Sequence, residues 1–233
     1  MNNAETFLKI YNKVDKILTT DNSTKYELYS EKVRNSTKPI IRQFREQLYD
    51  YGDLRNAIVH RPKDGNNYIA EPLDKVVKDF ERILAVLENP PKVLPKFQFK
   101  VEGAKQSDKL DTVLKIMNEN SFSQMPIFDD SGKVVEVINT NTISRWVGRN
   151  IGSEGILKEN PSISELFEQD IEYKANYKFI SRNCDIYEAY SHFTEQMEKL
   201  NRNLDVLFIT ENGESSEKLL GLITVADITK LMS

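Results

Sequence analysis

Apolar residues in the first ninety positions recur at three- and four-residue spacing, as expected when one face of a helix packs against a core. Four such stripes are present: Phe7, Ile10, Tyr11, Val14, Ile17 and Leu18; Tyr26, Leu28, Tyr29 and Val33; Ile40, Ile41, Phe44, Leu48, Tyr51, Leu54, Ala57 and Ile58; and Leu73, Val76, Val77, Phe80, Ile83, Leu84 and Leu87. They predict four helices, with prolines near the first turns of the third and fourth at Pro39 and Pro72. A loop is expected at Pro62, Asp64, Gly65 and Asn66. Together the stripes predict a small antiparallel bundle over residues 1–90.

A proline-rich segment follows the predicted bundle. Residues 89–95 read Asn-Pro-Pro-Lys-Val-Leu-Pro. Because proline restricts the backbone and favours extended conformations, this composition predicts a stiff, extended linker. We place the linker at residues 91–96.

Beyond the linker the pattern changes to short strands and helices that occur in the same order twice. Phe97, Phe99 and Val101 alternate as on a strand. They are followed by a helix at residues 107–117 with Ser107 or Asp108 as its N-cap, a strand at 125–128, a turn at 129–132, a strand at 134–138 and a helix at 143–147. The same order recurs as a strand at residues 177–181, a helix at 186–197, a strand at 204–209, a turn at 211–213, a strand at 219–223 and a helix at 228–232. Corresponding positions are roughly 76 to 85 residues apart, which indicates a duplicated α+β unit.

The second copy ends in a stretch with candidate ligand-binding chemistry. Leu219 to Ile223 is apolar apart from Gly221, and a glycine inside a buried strand indicates close approach of another group to its backbone. Thr224 follows the strand, and Asp227 lies three residues later, where a short helix is expected. At such a junction a carboxylate accepts from sugar hydroxyls, while the hydroxyl and free N–H groups donate to phosphate. The alternative is structural, because Asp is also a favoured helix N-cap.

This stretch resembles the end of a CBS domain, since Gly221, Thr224 and Asp227 fall on the Gly, Thr and Asp of that signature. In CBS domains the Asp typically holds the ribose of an adenine nucleotide, and the Thr helps to bind phosphate. The duplicated unit resembles a tandem CBS pair. The resemblance implies an α+β fold, in which an N-terminal helical bundle precedes a pseudo-two-fold CBS domain pair, with residues 97–150 as the first CBS domain and residues 151–233 as the second.

The resemblance implies one intact nucleotide site, built from the second copy. The first copy has Glu136, Asn139 and Thr142 where Gly, Thr and Asp are usual, so a carboxylate repels phosphate and the charge for ribose is missing. AMP, ADP or ATP is the expected ligand. Besides the Thr and Asp of the signature, the expected site residues are Phe179, Ile180, Ser181 and Val206 against the adenine, and Lys178, Arg182 and Lys230 as candidate phosphate partners.

The third predicted helix ends with a second candidate motif. The spacing of Arg55, Asn56 and His60 resembles the signature of HEPN domains, which are also short helical bundles. The resemblance implies metal-independent RNA cleavage, in which the His acts as general acid or base, the Arg stabilises phosphate charge and the Asn positions them. Arg55 and His60 are about 140° apart on a regular helix, so we expect them to meet in the cleft of a homodimer and not within one chain. Alternatively, the Arg pairs with Asp50 or Asp53, and the His caps the helix.

Composition and charge narrow the function classes. The 233 residues carry a formal net charge of −4; residues 1–90 hold 15 Lys and Arg against 14 Asp and Glu, and residues 91–233 hold 17 against 22. Neither part has the basic excess of a dedicated DNA- or RNA-binding protein. The chain shows no basic and apolar leader, no run near the ~20 apolar residues of a membrane span, no metal-ligand cluster and a single cysteine, Cys184. These features predict a cytoplasmic protein without a metal site or a membrane partner.

The observations favour a cytoplasmic regulatory protein whose CBS pair binds an adenine nucleotide and controls a helical effector or homodimerisation domain. Two alternatives remain open. One is a nucleotide-gated, metal-independent ribonuclease of HEPN type, for which RNA is the partner. The other is a structural dimerisation protein without a ligand.

Overall fold

The computed structural model of the chain describes residues 2–19, 27–60, 68, 70–152, 160–169, 175–200 and 204–232. Its backbone divides into two compact units, Met1–Pro91 with Asp185–Glu188, and Lys92–Cys184 with Ala189–Ser233. The α+β class is confirmed, because the first unit is helical and the second contains strands and helices. The predicted loop at Pro62, Asp64, Gly65 and Asn66 lies outside the described residues, as does Tyr26.

The first unit is built around the predicted apolar stripes. Its helices are α1 (Asn3–Thr19), α2 (Tyr29–Asn35), α3 (Pro39–Gln43), α4 (Arg45–His60) and α5 (Asp74–Glu88). Phe7 and Phe80 are fully buried, with ring centroids 5.1 Å apart, and the Tyr51 ring lies 4.3 Å from Phe80. Aromatic pairs of this kind add about 0.5–1.5 kcal/mol each beyond their buried area. This cluster therefore stabilises the packing of α1, α4 and α5.

Two details of the helical unit differ from the predictions. The third predicted helix is interrupted at Phe44, whose φ of −102° and ψ of 16° separate α3 from α4. Phe44 is buried with the Arg82 guanidinium 5.8 Å from its ring, so tertiary packing outweighs helix propensity there. Leu73, assigned to the apolar stripe, is the N-cap of α5 and is 74% exposed. An N-cap residue precedes the first helical turn and need not share the apolar face.

A hydrogen bond between Tyr51 and Asp79 joins α4 to α5. The Tyr51 hydroxyl donates to Asp79 Oδ2 at 2.6 Å, and this bond, followed by the Arg82 guanidinium, holds the pKa of Asp79 below its usual range. Because the folded pKa is lower than the unfolded one, the stabilisation is present above about pH 4 and is lost as the pH falls through the folded pKa. We expect Tyr51→Phe to lower the free energy of unfolding by about 1 kcal/mol at pH 7 and by less at pH 3. Urea denaturation followed by circular dichroism measures the free energy of unfolding at both pH values. An equal loss of stability at pH 7 and pH 3 would contradict a role for the carboxylate charge.

The second unit contains the same sheet topology twice. In the first copy, β1 (Ala104–Lys105) pairs parallel with β2 (Gln124–Phe128), which pairs antiparallel with β3 (Val134–Asn139). In the second copy, β4 (Tyr177–Ser181) pairs parallel with β5 (Val206–Thr210), which pairs antiparallel with β6 (Gly221–Thr224). The helices of this unit are α6 (Leu110–Glu119), α7 (Thr140–Asn150), α8 (Ile163–Gln169), α9 (Ile186–Leu200, except for residues 186–188) and α10 (Val225–Met232).

The segment that leads into the first sheet is neither an extended linker nor a strand, contrary to both predictions. The N–H of Phe97 donates to the carbonyl of Val93 at 3.0 Å, which closes a turn. Val93 and Phe97 are buried, whereas Phe99 is 48% exposed. Phe97 and Phe99 therefore do not share one buried face, as alternating residues on a strand would. Gln98 forms one isolated antiparallel bridge, with Gly221.

The starts of α6, α7 and α10 also depart from the predictions, and α7 begins at Thr140 and not at Ile143. Lys109 is the N-cap of α6, while the carboxylate of Asp108 accepts from the Lys105 N–H at 2.8 Å. The short helix α8 was not predicted. The last helix, α10, begins at Val225 and not at Ile228. Local polar side chains cap α8 and α10, through Ser162 with Glu165 and Thr224 with Asp227, whereas the N-cap of α6 makes no side-chain hydrogen bond.

An apolar cluster joins the two copies within the second unit. Val134 and Val137 of β3 pack with Val206 and Phe208 of β5, and all four are buried. Trp146, the only tryptophan of the chain, is buried in a second cluster inside the first copy. No described helix combines the length and apolar character needed to span a membrane.

Candidate functional site

Thr224 and Asp227 form hydrogen bonds with each other at the β6–α10 junction. The Thr224 Oγ1 and N–H groups donate to Asp227 Oδ2 at 2.7 and 3.0 Å, and the Asp227 N–H donates back to Thr224 Oγ1 at 3.3 Å. This arrangement resembles a capping box with Thr224 as the N-cap, so the pair stabilises the start of α10. All bonds to the carboxylate use one oxygen. Among the described residues none donates to Asp227 Oδ1, which leaves that oxygen available to a ligand.

Close approach of the chain explains the glycine that precedes this junction. A Cβ atom at Gly221 would overlap the carbonyl oxygen of Phe97. The predicted close approach is therefore confirmed, and the approaching group is the backbone that leads into the first copy. The same contact brings the residues after Phe97 alongside β6, where Phe99 N–H donates to the Leu220 carbonyl at 3.3 Å.

Thr224 and Asp227 line a cavity of about 510 Å³. Its walls come from the β6–α10 junction, the segment before β1, and the loop and strand that follow α6. The lining residues are Phe99, Lys100, Val101, Glu102, Asn120, Ser121, Phe122, Ser123, Gln124, Pro126, Leu222, Thr224 and Asp227. Small-molecule sites typically span about 300–1,000 Å³ and combine apolar walls with a few polar groups. The cavity thus has the size and the mixed lining of a small-molecule site.

The corresponding junction of the first copy is buried and internally satisfied. Asn139 is the N-cap of α7, and its side-chain oxygen accepts from the N–H and hydroxyl of Thr142 at 2.8 and 3.1 Å. The Asn139 amide donates to Asp205 Oδ2 at 2.8 Å. Asn139 and Thr142 are 8% and 2% exposed. The two junctions share their capping geometry, but only the second presents a carboxylate to a cavity within the described residues.

Glu136 binds a backbone amide. Both of its carboxylate oxygens accept from the Ala175 N–H, at 3.0 and 3.1 Å, where Ala175 has a φ of 57°. Burial, and then the charge of Glu136, raise the pKa of Tyr177, whose hydroxyl donates to the Val135 carbonyl at 3.1 Å. Glu136 therefore anchors the segment that enters β4, which is a structural role for the residue that replaces the glycine of the motif.

The apolar residues predicted to contact adenine lie in or beside the core of the second copy. Val206 is fully buried with Phe208, and Phe179 packs against the same cluster with its ring centroid 5.5 Å from that of Phe208. Ile180 is also buried. None of Phe179, Ile180 and Val206 is among the described residues that line the cavity of Asp227.

The predicted polar partners lie outside that cavity lining as well. Arg182 forms an ion pair with Glu211 at 3.0 Å, and the Ser181 hydroxyl donates to the Glu211 carbonyl at 3.2 Å. Lys178 and Lys230 are exposed on β4 and α10. The structure thus brings together two of the nine predicted nucleotide-binding residues, Thr224 and Asp227, and places the other seven elsewhere in the second copy.

Sequence reasoning missed the first-copy wall of the cavity. Phe99 and Phe122 are 48% and 38% exposed, and Lys100 supplies the ammonium group among the lining residues. The one available signal was Gly221, which indicated that some group must lie against β6. Which segment fills that position depends on tertiary packing.

Arg55, Asn56 and His60 meet on the surface of α4. Arg55 Nη1 lies 3.4 Å from His60 Nε2 and donates to Asn56 Oδ1 at 3.1 Å. The expectation that Arg55 and His60 do not meet within one chain is therefore wrong, because the long Arg side chain spans the angle between their Cα positions. The Arg55 guanidinium also lies 5.5 Å from the Tyr11 ring. Within the described ranges, no group of three His, Cys, Asp or Glu side chains is placed to hold a metal ion.

Comparison with protein families finds that residues 101–149 match the CBS domain. The match covers most of the first copy, whereas the Gly-Thr-Asp motif lies in the second. None of the curated proteins matches the chain.

The chain is similar to several solved structures at low sequence identity. One is a conserved protein from Pyrococcus horikoshii, with 18% identity and a TM-score of 0.43, covering 61% of this chain and 54% of that protein. Another is a CBS domain pair in complex with 5′-methylthioadenosine and S-adenosylmethionine, with 18% identity, a TM-score of 0.43, and coverage of 61% and 96%. A third is CBSX2 in complex with AMP, with 14% identity, a TM-score of 0.43, and coverage of 60% and 95%. The chain spans about half the length of the Pyrococcus protein.

Proposed function

We propose that this is a cytoplasmic regulatory protein that binds an adenine nucleotide in the cavity bounded by Thr224 and Asp227. One observation carries the proposal: Asp227 lines a cavity of about 510 Å³, and its Oδ1 accepts no hydrogen bond from the described residues. A carboxylate oxygen in that position suits the paired hydroxyls of a ribose, since hydrogen bonds to ionised acceptors are the stronger ones. The capping bonds hold the carboxylate in place before a ligand arrives.

The remaining lining residues suit the other parts of a nucleotide. Phe99, Phe122 and Leu222 provide apolar surface for the flat base, and the partly exposed rings are available for stacking. Lys100 is available to phosphate. Glu102 is the second carboxylate of the lining, so one Lys faces two acidic side chains. This balance favours a ligand with few phosphates, and we expect AMP to bind more tightly than ATP.

Isothermal titration of the full chain with AMP, ADP, ATP and S-adenosylmethionine tests the proposal. Heat of binding with one of them, saturating at one ligand per chain, is the expected result. Mass spectrometry of the denatured protein for co-purified nucleotide gives a second measurement. No binding of any of the four compounds, together with no co-purified nucleotide, would favour the structural dimerisation protein instead.

Regulation would follow from linkage between ligand binding and conformation. A nucleotide that binds one arrangement of the CBS pair more tightly shifts the population toward that arrangement. The helical unit is covalently continuous with the pair through residues 89–95, and we propose that it acts as the effector or homodimerisation domain. Sedimentation of the full chain with and without nucleotide would show whether the ligand changes the oligomeric state.

A nucleotide-gated, metal-independent ribonuclease of HEPN type is the second candidate. The observation that favours it is the contact of Arg55, Asn56 and His60 on one exposed face of α4. A guanidinium beside an imidazole can hold a phosphate next to a group that transfers protons near neutral pH.

His60→Ala should lower RNA cleavage about 100-fold or more if this candidate is correct, since general acid–base groups typically contribute that much. The matched control is His192→Ala, because His192 is the only other histidine and lies outside the helical unit. Cleavage of a fluorescent RNA in the presence of EDTA measures the rate. Activity that survives in the His60 variant would assign the cleavage to another site or to a contaminant.

A further inference from the structure

A second cavity within the second unit borders the same segment, residues 99–101, as the cavity lined by Asp227. Its volume is about 690 Å³. Three separate parts of the chain form it: residues 98–101, the end of β2 with the β2–β3 turn at residues 128 and 131–133, and residues 216–220 before β6. None of the residues predicted from the sequence to bind a ligand lines it.

Each of the three segments contributes one lysine to this cavity, and these are Lys100, Lys133 and Lys218. All three side chains are exposed. Among the described residues, no carboxylate lies within 4.0 Å of their ammonium groups. Three unpaired cations around one concave surface attract anions, because their fields add there.

The nearby carboxylates are engaged in the turns that carry these lysines. Glu217 accepts from the N–H and side-chain amide of Asn212 at 2.7 and 2.6 Å, and these donors lower the pKa of Glu217 to about 2. Asp129 accepts from the N–H and hydroxyl of Ser131 at 2.9 and 2.7 Å. Asp130 is paired at 3.9 Å with Lys105, which does not line the cavity among the described residues. The carboxylates therefore fix the turns and, among the described residues, form no ion pair with the three lysines. Glu217 itself lines the cavity and offsets one of the three positive charges.

We propose that this three-lysine cavity binds a small ligand with two or more linked phosphates, at a site separate from the Asp227 cavity. A diphosphate matches three ammonium groups, since each can donate to a different phosphate oxygen. The proposal does not require a nucleotide in the Asp227 cavity, although Lys100 lines both sites. The two cavities share Phe99, Lys100 and Val101 in their walls, so occupation of one is expected to alter affinity at the other.

Isothermal titration of the full chain with inorganic pyrophosphate at low ionic strength tests the site. We expect saturable binding to the wild-type protein, weakened about tenfold or more in the double variant Lys133→Gln/Lys218→Gln. The matched control is Lys78→Gln/Lys115→Gln, which removes the same charge from exposed positions outside the cavity. Binding should be kept in that control and in Lys133→Arg/Lys218→Arg, which preserves the charges.

Asp227→Asn separates this site from the other one. Pyrophosphate binding should persist in that variant even if it abolishes nucleotide binding. No saturable binding to the wild-type protein would overturn the proposal. Equal weakening in both double Gln variants would also overturn it, because it would show a general charge effect. Tighter pyrophosphate binding in Asp227→Asn would assign the anion to the Asp227 cavity, because the substitution removes a negative charge from that cavity.

Discussion

Asp227→Asn should weaken binding of an adenine nucleotide by about tenfold to 100-fold, since a hydrogen bond to a charged group contributes roughly 1.5–3 kcal/mol. The substitution removes the negative charge at Oδ1, the oxygen that has no donor among the described residues. In the wild-type protein the Thr224 N–H and hydroxyl donate to Asp227 Oδ2, and the side-chain oxygen of Asn can still accept from both. The start of α10 should therefore be retained, so weaker binding would report the charge and not unfolding.

The control for this variant is Asp111→Asn. Asp111 also lies in the first turn of a helix, α6, where it accepts from the Thr112 N–H, and it does not line the cavity within the described residues. Titration with the best-binding nucleotide compares the two proteins with the wild type. Unchanged affinity in Asp227→Asn would remove the basis for the nucleotide site, while equal weakening in Asp111→Asn would reduce the effect to overall charge.

Gly221→Ala should destabilise the second unit by about 3 kcal/mol, as overpacking of a filled site does. A Cβ at Gly221 would overlap the carbonyl oxygen of Phe97, which is backbone and cannot rotate away. To relieve the overlap, β6 must separate from the segment before β1, and the isolated bridge between Gln98 and Gly221 is lost. Because that segment also forms a wall of the Asp227 cavity, nucleotide affinity should fall in the same variant.

Gly148→Ala should have the opposite effect and stabilise the protein. Gly148 lies in α7 and has no atom within 4 Å of the position that a Cβ would occupy. Ala at a helical position without a clash stabilises by roughly 0.5–1 kcal/mol. Denaturant unfolding followed by the fluorescence of Trp146, the only tryptophan and a buried residue of the second unit, measures both variants. Destabilisation of similar size in the two variants would show that the Phe97 contact is not the cause.

The junction of Thr224 and Asp227 could be predicted because its signals are local. An apolar run, a glycine, a hydroxyl and a carboxylate lie within ten consecutive residues, and short-range geometry fixes how a strand passes into a helix. Even there, the sequence did not show that Thr224 would cap the helix and bind the carboxylate. That detail depends on whether the side chain of Thr224 or that of Asp227 accepts from the free N–H groups of the first helical turn.

Residues distant along the chain were harder to place. Phe179 and Val206 were expected beside the adenine, but they pack with Phe208 in and beside the core of the second unit. Burial of apolar side chains against one another competes with their use in a ligand site, and periodicity along one strand does not reveal which outcome wins. The contact between Arg55 and His60 was also not predicted, although they are only five residues apart. The angle between their positions on the helix does not account for the length of the Arg side chain.

The sequence by itself determined the helical and mixed units, the repeated order of strands and helices, and the chemistry at the end of the second copy. These follow from hydrophobic periodicity and turn residues, which act over a few positions. Only the tertiary structure decided that Phe97 lies against Gly221, that the first copy completes the cavity of Asp227, and that Lys100, Lys133 and Lys218 surround a second one. Contacts between segments so far apart depend on how whole elements pack, and no local pattern encodes them.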